Sequence, residues 1–259
     1  MHVPESVTKI LRNSGNNLHS KVARWLVAED WHVVVSPYYM DQSHGRAREI
    51  DLIAEKLWPI RDEFDHPKGD LAVRLFIECK YVPSEAVFWF ADKDTKAAQE
   101  LICRNGPFRR ENSYTERHHY LSSSPRVAKL FASDNAKARE NEPFYKALNQ
   151  ALNGMVSLKG QAVSIPAVKE GRRSVNIVLE FPVIVCNSFS RLYAVDFDRD
   201  SSPELISHNF QLEVQYAYVD RSQTPRDDYF LLDFVEFERL NEFMKSISSD
   251  AKSAAFLAS

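Results

Sequence analysis

Apolar residues recur at helical spacing through LHSKVARWLVAEDW, where Leu18, Val22, Trp25, Leu26 and Ala28 share one side and Lys21, Arg24 and Glu29 the other. Asn16 or Asn17 suits the N-cap of this first helix. The pattern then changes period. HVVVSPYYM is β-branched and aromatic up to Pro37 and the polar run DQSHGRA, which predicts a strand and a turn. REIDLIAEKLW follows as a second strand, RDEFDHPKGD as a polar loop, and VRLFIECKYV as the most strand-like segment of the N-terminal half.

After the aromatic cluster AVFWF, the segment DKDTKAAQELICRNG predicts a helix capped by Asp94 or Thr95 and stopped at Gly106. RHHYLSSSPRVAKLFAS predicts a short strand at HHYL and then a helix, and NEPFYKALNQALNGMVSL a further helix with Pro143 in its first turn. SVNIVLEFPVIVCNSFSRLYAVDFD is expected to hold two strands around Pro182. QLEVQYAYVD reads as another strand, and YFLLDFVEFERLNEFMKSIS passes from strand to amphipathic helix. Phe230, Phe234 and Phe237 fall among its apolar positions and are expected in the core. The chain is a mixed α/β protein, expected as a single domain over residues 1–259.

Composition narrows the function classes. At 259 residues, 44% hydrophobic and 27% charged, the chain has ample material for a core. No apolar run reaches the roughly 18–20 residues of a membrane span, and MHVPESVTKILRNSG lacks the layout of a signal peptide, so a cytoplasmic protein with no membrane partner is expected. Cys79, Cys103 and Cys186 are odd in number and far apart, which supports neither a disulfide framework nor a zinc ribbon. The seven glycines are scattered, and the phosphate-loop, dinucleotide and nucleophile-elbow motifs are absent. The net charge of −3 is unevenly spread: residues 101–150 carry nine Lys/Arg against five Asp/Glu, residues 201–259 five against ten. A polyanion should therefore meet the middle of the chain.

The candidate chemistry is Asp51 on one strand with Glu78 and Lys80 on the next. Residues i and i+2 of a strand share a face, so Glu78 and Lys80 emerge together while the Cys79 side chain points the other way. Two carboxylates, with the backbone carbonyl of Cys79, offer hard oxygen ligands for Mg²⁺, Mn²⁺ being the alternative ion. Lys80 would orient or help deprotonate an attacking water and offset the charge that develops on phosphorus. The bland alternative is a solvated Glu78–Lys80 ion pair beside a turn.

REIDLIAE and LFIECKYV, led by NNLHSKVARWLVAEDWHVVV, resemble the PD-(D/E)XK superfamily of restriction-endonuclease-like and Mrr-like nucleases. The resemblance covers residues 13–125. It implies a restriction-endonuclease-like mixed sheet flanked by helices, with residues 126–259 adding C-terminal strands and a terminal helix. It also implies metal binding by Asp51 and Glu78, a catalytic Lys80, and hydrolysis of DNA in restriction or anti-phage defence. Members of the family carry a glutamate in the first helix where this chain has His19, which would act through an imidazole nitrogen. Gln99 is a further polar candidate on the second helix. Arg104, Arg109, Arg110 and Arg117, with Arg126, are candidates for phosphate contact.

His118–His119 is discounted as a metal pair, because neighbours on a strand point apart. Asp196, Asp198 and Asp200 lack the glycine and glutamate of a calcium loop. The implied partners are DNA and, among proteins, a second copy or another defence component. The rival readings are a catalytically silent nuclease-like module that binds nucleic acid or protein, and a structural subunit docking through its acidic C-terminal part.

Overall fold

The computed structural model describes residues 4–13, 15–42, 45–133, 143–220 and 222–259. Helices α1 (Glu5–Asn13) and α2 (Gly15–Ala28) lead into β1 (His32–Val35), a short ribbon of β2 (Tyr38–Asp41) and β3 (Arg46–Glu49), then β4 (Leu52–Arg61), β5 (Pro67–Lys80) and β6 (Ala86–Asp92). Next come α3 (Thr95–Asn105), α4 (Ser113–Arg117), α5 (His119–Ser122), β7 (Arg126–Ser133), α6 (Pro143–Leu158) and α7 (Pro166–Lys169). The chain ends with β8 (Val175–Cys186), β9 (Leu192–Asp196), β10 (Glu204–Leu205), β11 (Phe210–Val219), β12 (Pro225–Glu236) and α8 (Leu240–Leu257).

Ten strands form one mixed sheet in the order β1-β4-β5-β8-β12-β11-β7-β6-β9-β10. Strands β5, β8 and β12 are mutually parallel, and their carboxyl ends are level: Lys80 is the partner of Cys186, and Cys186 the partner of Glu236. Helices α2, α3, α6 and α8 pack on this sheet. The core is therefore the sheet's apolar side chains against these helices, with Leu75, Phe76, Ile184, Leu232 and Phe234 fully buried. Among the described residues, no helix is long and apolar enough to cross a membrane.

Four expectations are corrected. HHYL is helical and RVAKLFAS is a strand, the reverse of the predicted order. His118 caps α5 by accepting from the Tyr120 N–H, and β7 is held between β6 and β11, so a capping side chain and tertiary pairing override local preference. The second predicted strand is two strands, broken at Ile50–Asp51. Half of RDEFDHPKGD is strand: β4 runs to Arg61, β5 begins at Pro67, and Asp62 closes the turn by accepting from the Phe64 and His66 N–H groups at 3.0 and 2.9 Å. β8 runs straight through Pro182, where β5 is already paired and the β12 ladder starts only at Val183, so the missing N–H falls at a ladder end.

Of the strands of residues 126–259, β9 and β10 extend the sheet at one margin, beyond β6, as expected, and the others do not. β8, β12 and β11 enter between β5 and β6, so residue 125 divides nothing in the sheet. The terminal helix is present as expected, as α8. Asn141 and Glu142, at the start of the expected NEPFYKAL helix, lie outside the described residues.

Candidate functional site

The β4–β5 register fixes the site. Leu52 pairs with Ile77, so the preceding residue, Asp51, stands opposite Glu78. The two carboxylates then reach across the ladder to backbone N–H groups of the opposite strand. The Asp51 N–H donates to Glu78 Oε1 at 3.2 Å, and the Cys79 N–H donates to Asp51 Oδ2 at 2.8 Å. Lys80, two residues on and on the same face as Glu78, places Nζ 2.9 Å from Glu78 Oε2. The three predicted residues are thus one hydrogen-bonded cluster at the carboxyl end of β5.

Successive strand residues turn their backbone polar groups to alternate neighbours. The Lys80 carbonyl accepts from Asn187 on the β8 side at 3.1 Å, whereas the Cys79 N–H serves Asp51 on the β4 side. The Cys79 carbonyl therefore faces the Asp51 side, as expected of a backbone ligand. Its thiol is buried and pushed well above its ordinary pKa, so it supplies no thiolate.

Two carboxylates and one ammonium leave an excess negative charge in a buried place. Glu78 is 0% exposed, and its burial, reinforced by the charge on Asp51, pushes its pKa up to about 7 against the opposing pull of Lys80. Burial alone would lower Lys80, but Glu78 and Asp51 outweigh it and its pKa is raised. A divalent cation beside the carboxylates would relieve the imbalance, and Mg²⁺, which keeps several waters, suits so small a set of protein oxygens.

His19 adds a second sign of incompleteness. It is 9% exposed, and its Nε2 is buried with no hydrogen-bond partner. Its neighbour is Glu49, held below the usual carboxyl range by hydrogen bonds from Ser36 and Tyr38 and, more weakly, by His19. Glu49 ends β3, two residues before Asp51. The first-helix position thus lies near the β3–β4 junction with an unsatisfied nitrogen, and Glu49, a residue the sequence did not single out, is the group it meets.

Beside the cluster opens a cleft of about 320 Å³ lined by Asn17, Leu18, Lys21, Tyr81, Asn187, Phe237 and Glu238. In open α/β sheets, crevices at the carboxyl ends of strands are the usual ligand sites. Phe230 and Phe234 are buried as expected, but Phe237 is only half-buried and lines this cleft.

The expected phosphate-binding arginines are dispersed. Arg104 is committed to Asp228 at 2.7 Å and to the Tyr229 carbonyl at 3.2 Å, well back along β12 from its carboxyl end at Glu236. Arg110 pairs with Glu100 at 2.8 Å, and Gln99 donates to the Arg110 carbonyl at 2.6 Å, so neither reaches the Asp51 cluster. Arg126 pairs with Asp196 at 2.8 Å. Arg109 and Arg117 are exposed, and no contact links them to the cluster.

His118 and His119 are not splayed apart as on a strand. In the first turn of α5 their rings stack with centroids 4.9 Å apart, and both meet Asp250 of α8. Among the described residues these three form the group whose ligand atoms all lie within 4.8 Å of one another. The hydrogen bonds argue for an internal ion cluster instead. His118 Nδ1 accepts from the Tyr120 N–H, which leaves Nε2 to carry the proton toward Asp250. His119 bridges Asp250 and Asp233, the latter at 3.1 Å, and these carboxylates outweigh its burial to raise its pKa to about 10. His118, buried beside that cation, falls to about 3. Each carboxylate is thus met from within the protein: Asp250 by both histidines, and Asp233 by His119 and by Gln211 Nε2 at 3.2 Å. Compared with family models, curated proteins and solved structures, the chain finds no match.

Proposed function

We propose that the chain is a Mg²⁺-dependent nuclease that hydrolyses DNA phosphodiester bonds through Asp51, Glu78 and Lys80, on a restriction-endonuclease-like core. The observation that carries this reading is the pairing of Asp51 with Glu78 across β4 and β5, each carboxylate accepting a backbone N–H of the opposite strand, with Lys80 Nζ 2.9 Å from Glu78 and a cleft lined by the next residue, Tyr81. Asp51, Glu78 and the Cys79 carbonyl would hold the ion, which supplies a Lewis acid for a phosphate oxygen and a water of lowered pKa. Lys80 keeps its proton, because its pKa is raised. Its part is to hold a phosphate oxygen and offset charge as water oxygen attacks phosphorus and the ester P–O bond breaks. Glu78, with a pKa of about 7, must shed its proton for a cation to enter, so uptake weakens as the pH falls below neutral. Restriction or anti-phage defence is the setting proposed by analogy with the superfamily.

Supercoiled plasmid incubated with Mg²⁺ or Mn²⁺ tests the reading. The native chain should nick or linearise it, while Asp51→Ala and Lys80→Ala should not. Cleavage that survives both substitutions overturns the assignment and leaves the silent-module reading.

A further inference from the structure

Tyr81, Asn187 and Phe237 are each the first residue beyond a parallel strand: β5 ends at Lys80, β8 at Cys186 and β12 at Glu236. Because Lys80, Cys186 and Glu236 are register partners, these three residues leave the sheet from neighbouring strand ends, Phe237 opening a short 3-10 turn. An aromatic, an amide and an aromatic therefore stand side by side at the floor of the cleft. All three line the cleft, Tyr81 and Phe237 following the strands on either side of the one that precedes Asn187, so an entering planar ring has two aromatic side chains to stack on.

The rest of the lining fits a nucleotide. Asn187 Oδ1 accepts from the Val82 N–H at 2.7 Å, which leaves its amide N–H groups to donate. Lys21, exposed and without an ion-pair partner among the described residues, adds a cation to the lining. Glu238, also in the lining, repels phosphate and suits an exocyclic amino group. At about 320 Å³ the cleft is at the small end of ligand sites, which run from about 300 to 1,000 Å³. Asn187 is bonded through its N–H to the Lys80 carbonyl, and Leu18 precedes His19, so whatever fills the cleft adjoins the Asp51 cluster.

We propose that this cleft seats one unstacked nucleotide of a single nucleic-acid strand, an inference that deepens the nuclease reading by naming its substrate class as single-stranded or frayed rather than intact duplex. Stacking on aromatic side chains tolerates any base, and it requires a base freed from its own neighbours. In a closed duplex neither ring face is available.

The test is binding of the full chain, in EDTA so that nothing is cut, to a fluorescein-labelled 12-nucleotide single strand and to the matching duplex, with AMP as competitor. The single strand should bind at least 10-fold more tightly than the duplex. Tyr81→Ala should weaken it by roughly 5- to 150-fold, the range for losing one base–aromatic stack, while Tyr81→Phe restores it. Mg²⁺-induced thermal stabilisation of Tyr81→Ala, equal to that of the native chain, shows that the variant is folded and the neighbouring cluster intact. Equal affinity for strand and duplex, binding unaffected by Tyr81→Ala, or competition by AMP as effective as by unlabelled strand would each overturn the proposal. Tyr81-dependent strand binding without any metal-dependent cleavage would sink the nuclease reading and leave the cleft standing, and cleavage indifferent to Tyr81 would do the opposite.

Discussion

Replacing Glu78 by glutamine should make the protein more stable at alkaline pH while removing its response to Mg²⁺. The carboxyl pKa rises from an ordinary 4.5 to about 7 in the fold, because the group is buried beside Asp51 and Lys80 only partly compensates. A raised folded pKa means that the stability contribution is complete below 4.5, where both states are protonated, and is lost as the pH rises through about 7. Above that, ionised Glu78 costs roughly 3 kcal/mol, at about 1.4 kcal/mol per tenfold in the equilibrium. The side chain of Glu78→Gln keeps an acceptor for the Asp51 N–H and never ionises. It also turns an amide toward the Lys80 ammonium, so the gain at pH 8.5 is at most roughly 3 kcal/mol, or about 6–12 °C in Tm for a chain of this size. At pH 4.5 the difference should vanish. Thermal unfolding in EDTA at the two pH values measures this, and repetition with Mg²⁺ measures the ion: native protein at 100 times Kd gains about 2.7 kcal/mol, the variant nothing. A variant less stable than the native chain at pH 8.5 in EDTA, or one equally stabilised by Mg²⁺, refutes the account of a strained, cation-seeking carboxylate.

Lys80→Ala should abolish cleavage yet retain Mg²⁺-induced stabilisation, since Lys80 contributes charge to the reaction and no ligand to the ion. Loss of both would assign it a structural part. Arg74→Ala should destabilise by about 3–5 kcal/mol in urea titration, because Arg74 bridges buried Glu55 at 2.7 Å and Glu180 at 3.2 Å, and its removal takes the cation from both carboxylates. Asp233 and Asp250 hold His119 protonated, so native stability should fall as the pH rises from 7 towards 10. His119→Gln should be less stable at pH 7 and lack that fall, as urea midpoints across the range would report.

The β4–β5 hairpin was legible because alternation in IDLIA and LFIECK states both the period and the face, and the same period puts Glu78 beside Lys80. What alternation cannot state is where a strand ends. Arg61 and Pro67 look like loop residues by composition, yet they are held in the ladder by Asp62, whose carboxylate closes a five-residue turn. The RVAKLFAS strand was misread for a related reason. Its residues suit either state, and the decision was made by β6 and β11. The central place of β8, β12 and β11 was beyond reading altogether, since strand order depends on pairings such as Lys80 with Cys186, which are remote in sequence.

The same limit divides the polar clusters. Asp51, Glu78 and Lys80 were found because one hairpin brings them together, so that a separation of 27 residues collapses to a single ladder step. His118 and His119 were set aside on the premise of a strand, and the partner that gives them meaning, Asp250, lies 131 residues beyond His119. Yet once placed, the two clusters differ in the way that separates a site from a scaffold. Around His119 a single imidazolium lies between Asp233 and Asp250, His118 is held neutral, and Gln211 and the His119 backbone N–H add to the carboxylates' hydrogen bonds, so the polar groups are met within the protein. Around Glu78 the balance stays open: a carboxylate driven up to about 7, a second carboxylate facing it, a His19 nitrogen without a partner, and a cleft at the lip. Buried polar groups left unsatisfied are costly, and of the two clusters it is the one at Glu78 that has such a group, His19 Nε2, near its β3–β4 junction, so the proposed cation is assigned there rather than to the histidines.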